Sequence, residues 1–311
     1  GGGTDIPFIF NKLGRGITIT ASVDLPITVG CTTRPLDKGV KLKYSSNETA
    51  FDANSIVHPI FKEALNYFKY NFEKDKGIEI FSTASIPSGS GLGSSAAFTT
   101  SLVQCLSIHL NNNILKKNDL LLKATDIEHK SGNDQIGYQD QVASIFGSIS
   151  IANYDQNDIK VTPASKEWEN GIIKLIESKG ALFKTNPRAG ISSNYINCNS
   201  LAEKIQMYEE VLNVAENINF KNKDFNEELL IEMLLKTSEL AKKMKKRSQE
   251  IINLENELNK LGCLYSKQLG AGGGGFIFCL FKNKNFELSD KLKELMIRPK
   301  ISKVGTRFLT I

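Results

Sequence analysis

The stretch that most constrains this chain is Ile86-Pro87-Ser88-Gly89-Ser90-Gly91-Leu92-Gly93-Ser94-Ser95-Ala96-Ala97. Three glycines and four serines occupy seven of the eight positions 88–95, and an apolar run with helical spacing follows at Phe98, Leu102, Val103 and Leu106. A flexible, small-residue turn that opens a helix leaves unpaired backbone N–H groups at the positive end of the helix dipole, which is an anion site. The glycines let the backbone approach a bulky anion such as a triphosphate. The competing reading is an ordinary tight turn from a strand into a helix.

Two better-known phosphate loops do not fit. A Walker loop needs Lys followed by Ser or Thr after its last glycine, and Gly93 is followed by Ser94 with no lysine nearby. Gly91-x-Gly93-x-x-Ala96 does satisfy the dinucleotide fingerprint, but that motif requires a βαβ unit with a second strand ending in an acidic residue about 20 positions on. Here the helix runs into Asn111-Asn112-Asn113 and a second helix, with no strand before about residue 146.

The rest of the chain narrows the class. Its 311 residues suggest one large or two ordinary domains, and 41% apolar residues can fill a core. No apolar run approaches the ~18 residues of a membrane span, and the opening lacks the basic and apolar stretches of a signal peptide. Five scattered cysteines (Cys31, Cys105, Cys198, Cys263, Cys279) include no Cys-x-x-Cys pair, and His58, His109 and His129 do not complete metal-ligand spacing with them. A reducing cytoplasmic setting follows. The net charge of +5 peaks at Lys242-Lys243-Met244-Lys245-Lys246-Arg247, which reads as a solvated helix face and not as a nucleic-acid site. A mild positive field suits a polyanionic small substrate.

Alternation and turn residues predict strands at 16–23, 25–31, 40–44, 78–83, 146–152, 159–162, 179–184, 263–267, 276–281 and 304–311. Helical spacing predicts helices at 56–72, from the glycine loop to 111, and at 120–129, 201–215, 227–244, 248–261 and 288–296, with Asn118 or Asp119 capping the third. The change from strand-rich to helix-rich places a domain boundary near 165, giving segments 1–165 and 166–311.

Four motifs in register resemble one family. Pro87-x-x-x-Gly91-Leu92-Gly93-Ser94-Ser95-Ala96 is similar to the phosphate-binding motif of the GHMP kinases, and Leu269-Gly270-Ala271-Gly272-Gly273-Gly274-Gly275-Phe276 to their C-terminal glycine motif. Gly137-x-x-Asp140-Gln141 resembles their catalytic-aspartate segment, and Gly1-Gly2-Gly3-Thr4-Asp5 their N-terminal substrate motif. The resemblance implies an α+β, two-lobed fold: an N-terminal lobe like ribosomal protein S5 with a left-handed βαβ-type connection, and a ferredoxin-like C-terminal lobe. Within the family, the Gly-Gly-Gly-Thr-Asp start with Gly-Tyr-Gln-Asp-Gln is most similar to D-glycero-D-manno-heptose 7-phosphate kinases. Mevalonate-type members lack that start.

The roles implied by the resemblance are specific. Pro87, Ser88, Gly89, Ser90, Gly91, Leu92, Gly93, Ser94, Ser95 and Ala96 wrap the ATP phosphates, and Ser95 (or Ser94) with Glu128 holds Mg2+, a hard cation that takes oxygen ligands. Glu128 otherwise reads as an exposed helix carboxylate. Asp140 accepts or orients the proton of the attacking alcohol; its competing reading is a helix cap. Gly3, Thr4 and Asp5 contact the sugar, although Asp5 also reads as a turn aspartate, and Gly273 belongs to a run that closes over phosphate and sugar. Arg188 is a candidate clamp for a substrate phosphate, in competition with Arg15, Arg34 and several lysines. Adenine falls to the 31–60 segment. The family also carries a strand ending in arginine ahead of the first glycine motif, and Gly1-Gly2-Gly3 reads as the middle of such a motif. The resulting expectation is an ATP- and Mg2+-dependent sugar kinase, acting on a heptose 7-phosphate at its anomeric hydroxyl, monomeric or homodimeric. Its partners are small molecules, with no nucleic acid and no membrane. The alternatives are a kinase of another hexose and an inactive binding protein of the same fold.

Overall fold

In chain order the elements are α1 (Pro7–Leu13), β1 (Gly16–Ala21), β2 (Ile27–Arg34), β3 (Val40–Lys43), β4 (Asn47–Ala50), α2 (Pro59–Tyr67), β5 (Gly77–Ala84), α3 (Ser94–Asn111), α4 (Lys117–Lys130), α5 (Gln139–Phe146), β6 (Ile149–Tyr154), β7 (Ile159–Pro163), α6 (Lys166–Lys179), β8 (Gly180–Lys184), α7 (Leu201–Glu216), α8 (Glu227–Met244), α9 (Gln249–Lys260), β9 (Cys263–Gln268), β10 (Phe276–Phe281), α10 (Asp290–Leu295) and β11 (Met296–Ile297). This computed structural model describes residues 4–132, 136–156, 158–185, 201–216, 224–244, 248–270 and 274–310. None of the described helices is long and apolar enough to cross a membrane.

The chain forms two compact units, each assembled from separated segments. The first comprises Gly1–Asp24, Ser88–Gly93 and Gly147–Lys303; the second comprises Leu25–Pro87, Ser94–Phe146 and Val304–Ile311. Residue 165, where the composition shifts, lies inside the first unit.

The first unit holds two antiparallel sheets, of order β1-β6-β7 and β11-β8-β10-β9. Its largest apolar cluster joins Trp168, Ile172 and Leu175 of α6 to Ile149 and Ile151 of β6 and to Tyr265 and Leu280 of the second sheet. Helix α6 is absent from the sequence expectations, although its signals are present. Ser165 caps it by accepting from the Trp168 N–H at 3.4 Å, and the three buried residues recur at helical spacing.

The second unit holds a four-stranded sheet of order β2-β5-β3-β4 in which only the β3–β5 pair is parallel. Helix α2 lies in the connection between those two parallel strands and starts with Pro59 at its first position, where a missing N–H is harmless. The helix is shorter than the expected 56–72 because Lys69 turns left-handed (φ 54) after it. Helix α3 begins at the end of the glycine loop, as expected, and stops where Asn112 is left-handed (φ 48). Helix α4 starts at Lys117, ahead of Asn118 and Asp119, so neither is its cap, and Lys116 in that position makes no side-chain capping bond. Leu102 and Leu106 of α3, Leu121 of α4, Phe61 of α2 and Leu42 and Ile80 of the sheet are fully buried and form the packing of this unit.

The expected closing strand at 304–311 does not form over 304–310. That segment instead lies against the end of α5: Thr306 Oγ1 donates to the Ser144 carbonyl at 3.1 Å, and a Cβ at Gly305 would collide with the Ile145 carbonyl. Main-chain contact of this closeness leaves no room for a sheet partner.

Candidate active site

The glycine loop alternates its backbone hand. Gly89, Gly91 and Gly93 have φ of 71°, 75° and 71°, while the residues between them do not enter the positive region. Alternation of left- and right-handed residues is the backbone pattern that can turn successive N–H groups toward one side as an anion-binding concavity, and here it directly precedes α3. Pro87, Ser88 and Gly89 are exposed, Gly91, Leu92, Gly93 and Ser94 half-buried, and Ala96 buried as the first core residue of α3. Ser90 is 2% exposed, and its hydroxyl accepts from the Leu92 N–H at 3.3 Å, which fixes the loop internally.

In the same unit the loop is backed by the second glycine run. A Cβ on Gly91 would sit 2.7 Å from the Leu269 carbonyl oxygen, one on Gly270 2.7 Å from Gly91 Cα, and one on Gly275 would overlap the Ser90 carbonyl. These distances admit no side chain, so Gly91, Gly270 and Gly275 are required where main chain meets main chain. Sequence reasoning assigned the 272–275 run to closure over phosphate and sugar. The described part of the motif packs against the phosphate loop itself, a support role that a separation of about 180 residues hides. Gly273 lies outside the described residues, as do Gly3 and Arg188.

The N-terminal pair is buried: Thr4 is 0% exposed and Asp5 1%. The Thr4 hydroxyl donates to the Ile17 carbonyl at 2.6 Å and accepts from the Ile17 N–H at 3.3 Å. Thr4 therefore braces the segment carrying Asp5 against β1. Of the arginines that compete with Arg188, Arg15 is ion-paired with Glu216 (2.8 Å) and Arg34 with Asp37.

In the second unit three helices converge on Glu128. Its carboxylate, on α4, is 2% exposed; Oε2 accepts from Gln141 Nε2 of α5 at 2.7 Å, and the Ser95 hydroxyl in the first turn of α3 lies close enough to favour the ionised carboxylate. Burial pushes the Glu128 carboxyl above its ordinary value, while Ser95 and Gln141 favour the ionised form. The sequence alternative of an exposed helix carboxylate is thereby replaced. Ser95 itself is exposed. The C-terminus of α4 is fixed by Ser131 Oγ donating to the Glu128 carbonyl at 2.7 Å, and His129 Nε2 meets the Ile136 carbonyl at 3.1 Å on the way into α5.

Asp140 lies in the first turn of α5, inside the helix, and is exposed. A carboxylate there is favoured by the helix dipole and remains open to a substrate hydroxyl. Next to it Gln141 is 1% exposed. The sequence named this glutamine only as part of a motif; its pairing with Glu128, 13 residues earlier, is new.

The donor set fits a hard divalent cation. The Ser95 hydroxyl and the Glu128 carboxylate would supply oxygen ligands of the kind Mg2+ takes. Among the described residues no group of three or more His, Cys, Asp or Glu could hold a metal by itself, which excludes an all-protein cage there.

Comparison with known proteins identifies the family of domains present. Residues 59–148 match the GHMP kinases N terminal domain and residues 219–297 the GHMP kinases C terminal domain, together more than half of the chain. The chain is 28% identical over 196 residues to D-glycero-alpha-D-manno-heptose 7-phosphate kinase of Campylobacter jejuni, a match covering 60% of this chain and only 56% of that kinase. It is 24% identical over 292 residues to mevalonate kinase of Thermococcus sibiricus, covering 86% of this chain and 81% of that protein. The crystal structure of a D-glycero-D-manno-heptose 1-phosphate kinase from Bacteroides thetaiotaomicron superposes with a TM-score of 0.69 at 16% identity, covering 100% of this chain and 96% of that one. That likeness establishes a shared fold.

Proposed function

We propose that this chain, which belongs to the GHMP kinase family, transfers the terminal phosphoryl group of ATP to a hydroxyl of a sugar phosphate. The observation that carries the reading is the alternating loop 88–93 running into α3, whose first turn bears Ser95, together with the buried Glu128 of α4. The N–H groups of the loop bind the phosphates, and Ser95 and Glu128 hold Mg2+. When bound, that cation supplies the positive charge which a loop without lysine lacks. Adenine is assigned to the 31–60 segment, where His58 Nδ1 is buried with no hydrogen-bond partner among the described residues.

In the reaction the acceptor hydroxyl oxygen forms the new bond to the γ-phosphorus as the bond to the β–γ bridging oxygen breaks, and ADP leaves. The hydroxyl proton passes to the Asp140 carboxylate. Because the transition state is loose, orienting the hydroxyl counts for as much as basicity. Asp5 receives sugar hydroxyls, held in place by the bonds of Thr4 to β1.

For the acceptor we propose D-glycero-D-manno-heptose 7-phosphate, phosphorylated at its anomeric hydroxyl to the 1,7-bisphosphate. The Thr4-Asp5 and Asp140-Gln141 motifs and the identity to the Campylobacter jejuni kinase support it. The test is ADP release with Mg2+ over a panel of heptose 7-phosphate, hexose phosphates, free hexoses and mevalonate. Turnover on the heptose phosphate at least tenfold above the others is expected. Preference for another member replaces the substrate, and no ADP release with any member overturns the kinase reading.

A further inference from the structure

The buried amide of Gln141 has one end accounted for and one end not. Its Nε2 donates to Glu128 Oε2 at 2.7 Å, whereas its Oε1 is buried and has no hydrogen-bond partner among the described residues. The nitrogen facing Glu128 is the arrangement that suits an ionised carboxylate, whose oxygens only accept, and a metal ligand binds in that ionised form. What remains is an acceptor, 1% exposed as a residue, adjacent to the metal carboxylate and lacking a donor. Native proteins satisfy nearly all such groups with protein or with ordered water.

We propose that Gln141 is a positioning residue of the metal site. One end orients the Glu128 carboxylate, and the other accepts a hydrogen bond from a water on the divalent cation. The inference rests on the kinase reading above. Mg2+ keeps several of its waters in protein sites, and a site with two protein oxygens must direct the remaining shell through outer contacts. Gln141 stands beside Asp140 in the first turn of α5. The same turn thus carries both the contact to the metal carboxylate and the group that receives the acceptor proton. A rotation of α5 would disturb both at once.

The test uses Gln141→Met, which keeps the length of the side chain and removes both donor and acceptor. Gln141→Asn, still polar but one methylene shorter, serves as a second variant where methionine prevents folding. Binding of Mn2+ to the protein with saturating ADP is read by electron paramagnetic resonance. ADP affinity and Tm are measured separately in EDTA. A loss of about 10- to 100-fold in Mn2+ affinity is expected, with ADP affinity in EDTA within about twofold of wild type. A structural role alone would lower Tm and leave Mn2+ affinity within about twofold, and that result overturns the inference. Failure of the wild-type protein to bind Mn2+ with ADP is a different outcome: it removes the metal reading on which the inference stands.

Discussion

Each unit holds its own group of candidate residues, and the two groups are built by opposite means. In the first unit, Gly89, Ser90 and Gly91 meet Leu269, Gly270 and Gly275 main chain to main chain, with glycine at each point of contact and Ser90 Oγ as a side-chain link within the loop. In the second unit, Glu128 of α4 and Gln141 of α5 are joined through their side chains, with Ser95 of α3 near the same carboxylate. The first arrangement is steric: it tolerates changes of pH and salt and refuses any added atom. The second is electrostatic: it tolerates changes of volume and refuses any change of donor, acceptor or charge. On the proposed reading, phosphates of constant geometry suit the former, and a cation and a moving proton suit the latter.

This contrast can be broken by substitution. The largest effect is expected from Asp140→Asn, which alters no volume. Turnover should fall at least ~100-fold with ATP affinity nearly intact, measured by ADP release and nucleotide titration; near-normal turnover would remove Asp140 from the mechanism. Next is Gly275→Ala, where φ is +101° and the new methyl meets the Ser90 carbonyl. We expect KM for ATP to rise about tenfold and stability to fall by about 1–3 kcal/mol. The control is Gly262→Ala, also left-handed (φ +86°) but with nothing within 4 Å. It should cost about 1–2 kcal/mol of backbone strain and leave KM unchanged. Equal effects on KM from the two glycines would defeat the steric account.

A smaller change is expected from Thr4→Val, which removes both hydroxyl bonds to Ile17 at constant shape. Denaturant unfolding should show a loss of about 1–2 kcal/mol, with KM for the sugar rising as Asp5 loses its brace. The smallest effect is a pH dependence in the second unit. Burial of His58 against Tyr44, Phe61 and Phe98 lowers its pKa, partly offset by the charge of Glu48. An imidazole whose folded value lies below its unfolded value of about 6.5 takes its proton first in the unfolded chain. Stability is therefore present above that value and lost as pH falls below it. Tm should drift down from pH 7.5 to 5.5 in the wild type and less so in His58→Phe; parallel drifts in both would assign the effect elsewhere, His109 first, which burial shifts the same way.

What was legible in the sequence follows the same division. The glycine turn into α3 could be read because glycine and serine at those spacings have few other uses; the burial of Glu128 could not, since on sequence it also reads as an exposed helix carboxylate. The pairing of Gln141 with Glu128 could not be read, since it depends on α4 and α5 returning to one another after the turn at Ser131. The contact of Leu269, Gly270 and Gly275 with the loop was likewise hidden, since nothing local marks which glycine run meets which. Helix α6 was overlooked despite a serine cap and a buried stripe. The expected strand at 304–311 does not form over 304–310, because Gly305 and Thr306 lie against the end of α5.

The discontinuous threading of the units has a consequence for synthesis. Strand β1 spans Gly16–Ala21, yet its hydrogen-bonded partner is β6, where Gly16 faces Tyr154 and Ala21 faces Ile149. At about 5–20 residues per second on the ribosome, β1 waits on the order of ten seconds or more for the strand that completes it. Throughout that interval the segments emerging behind it belong largely to the other unit. The nascent chain is thus obliged to carry an unpaired strand while building a different body. Long-range pairing of this kind slows folding and exposes strand edges to aggregation. Productive expression will accordingly depend on translation rate and on chaperones that shield extended segments.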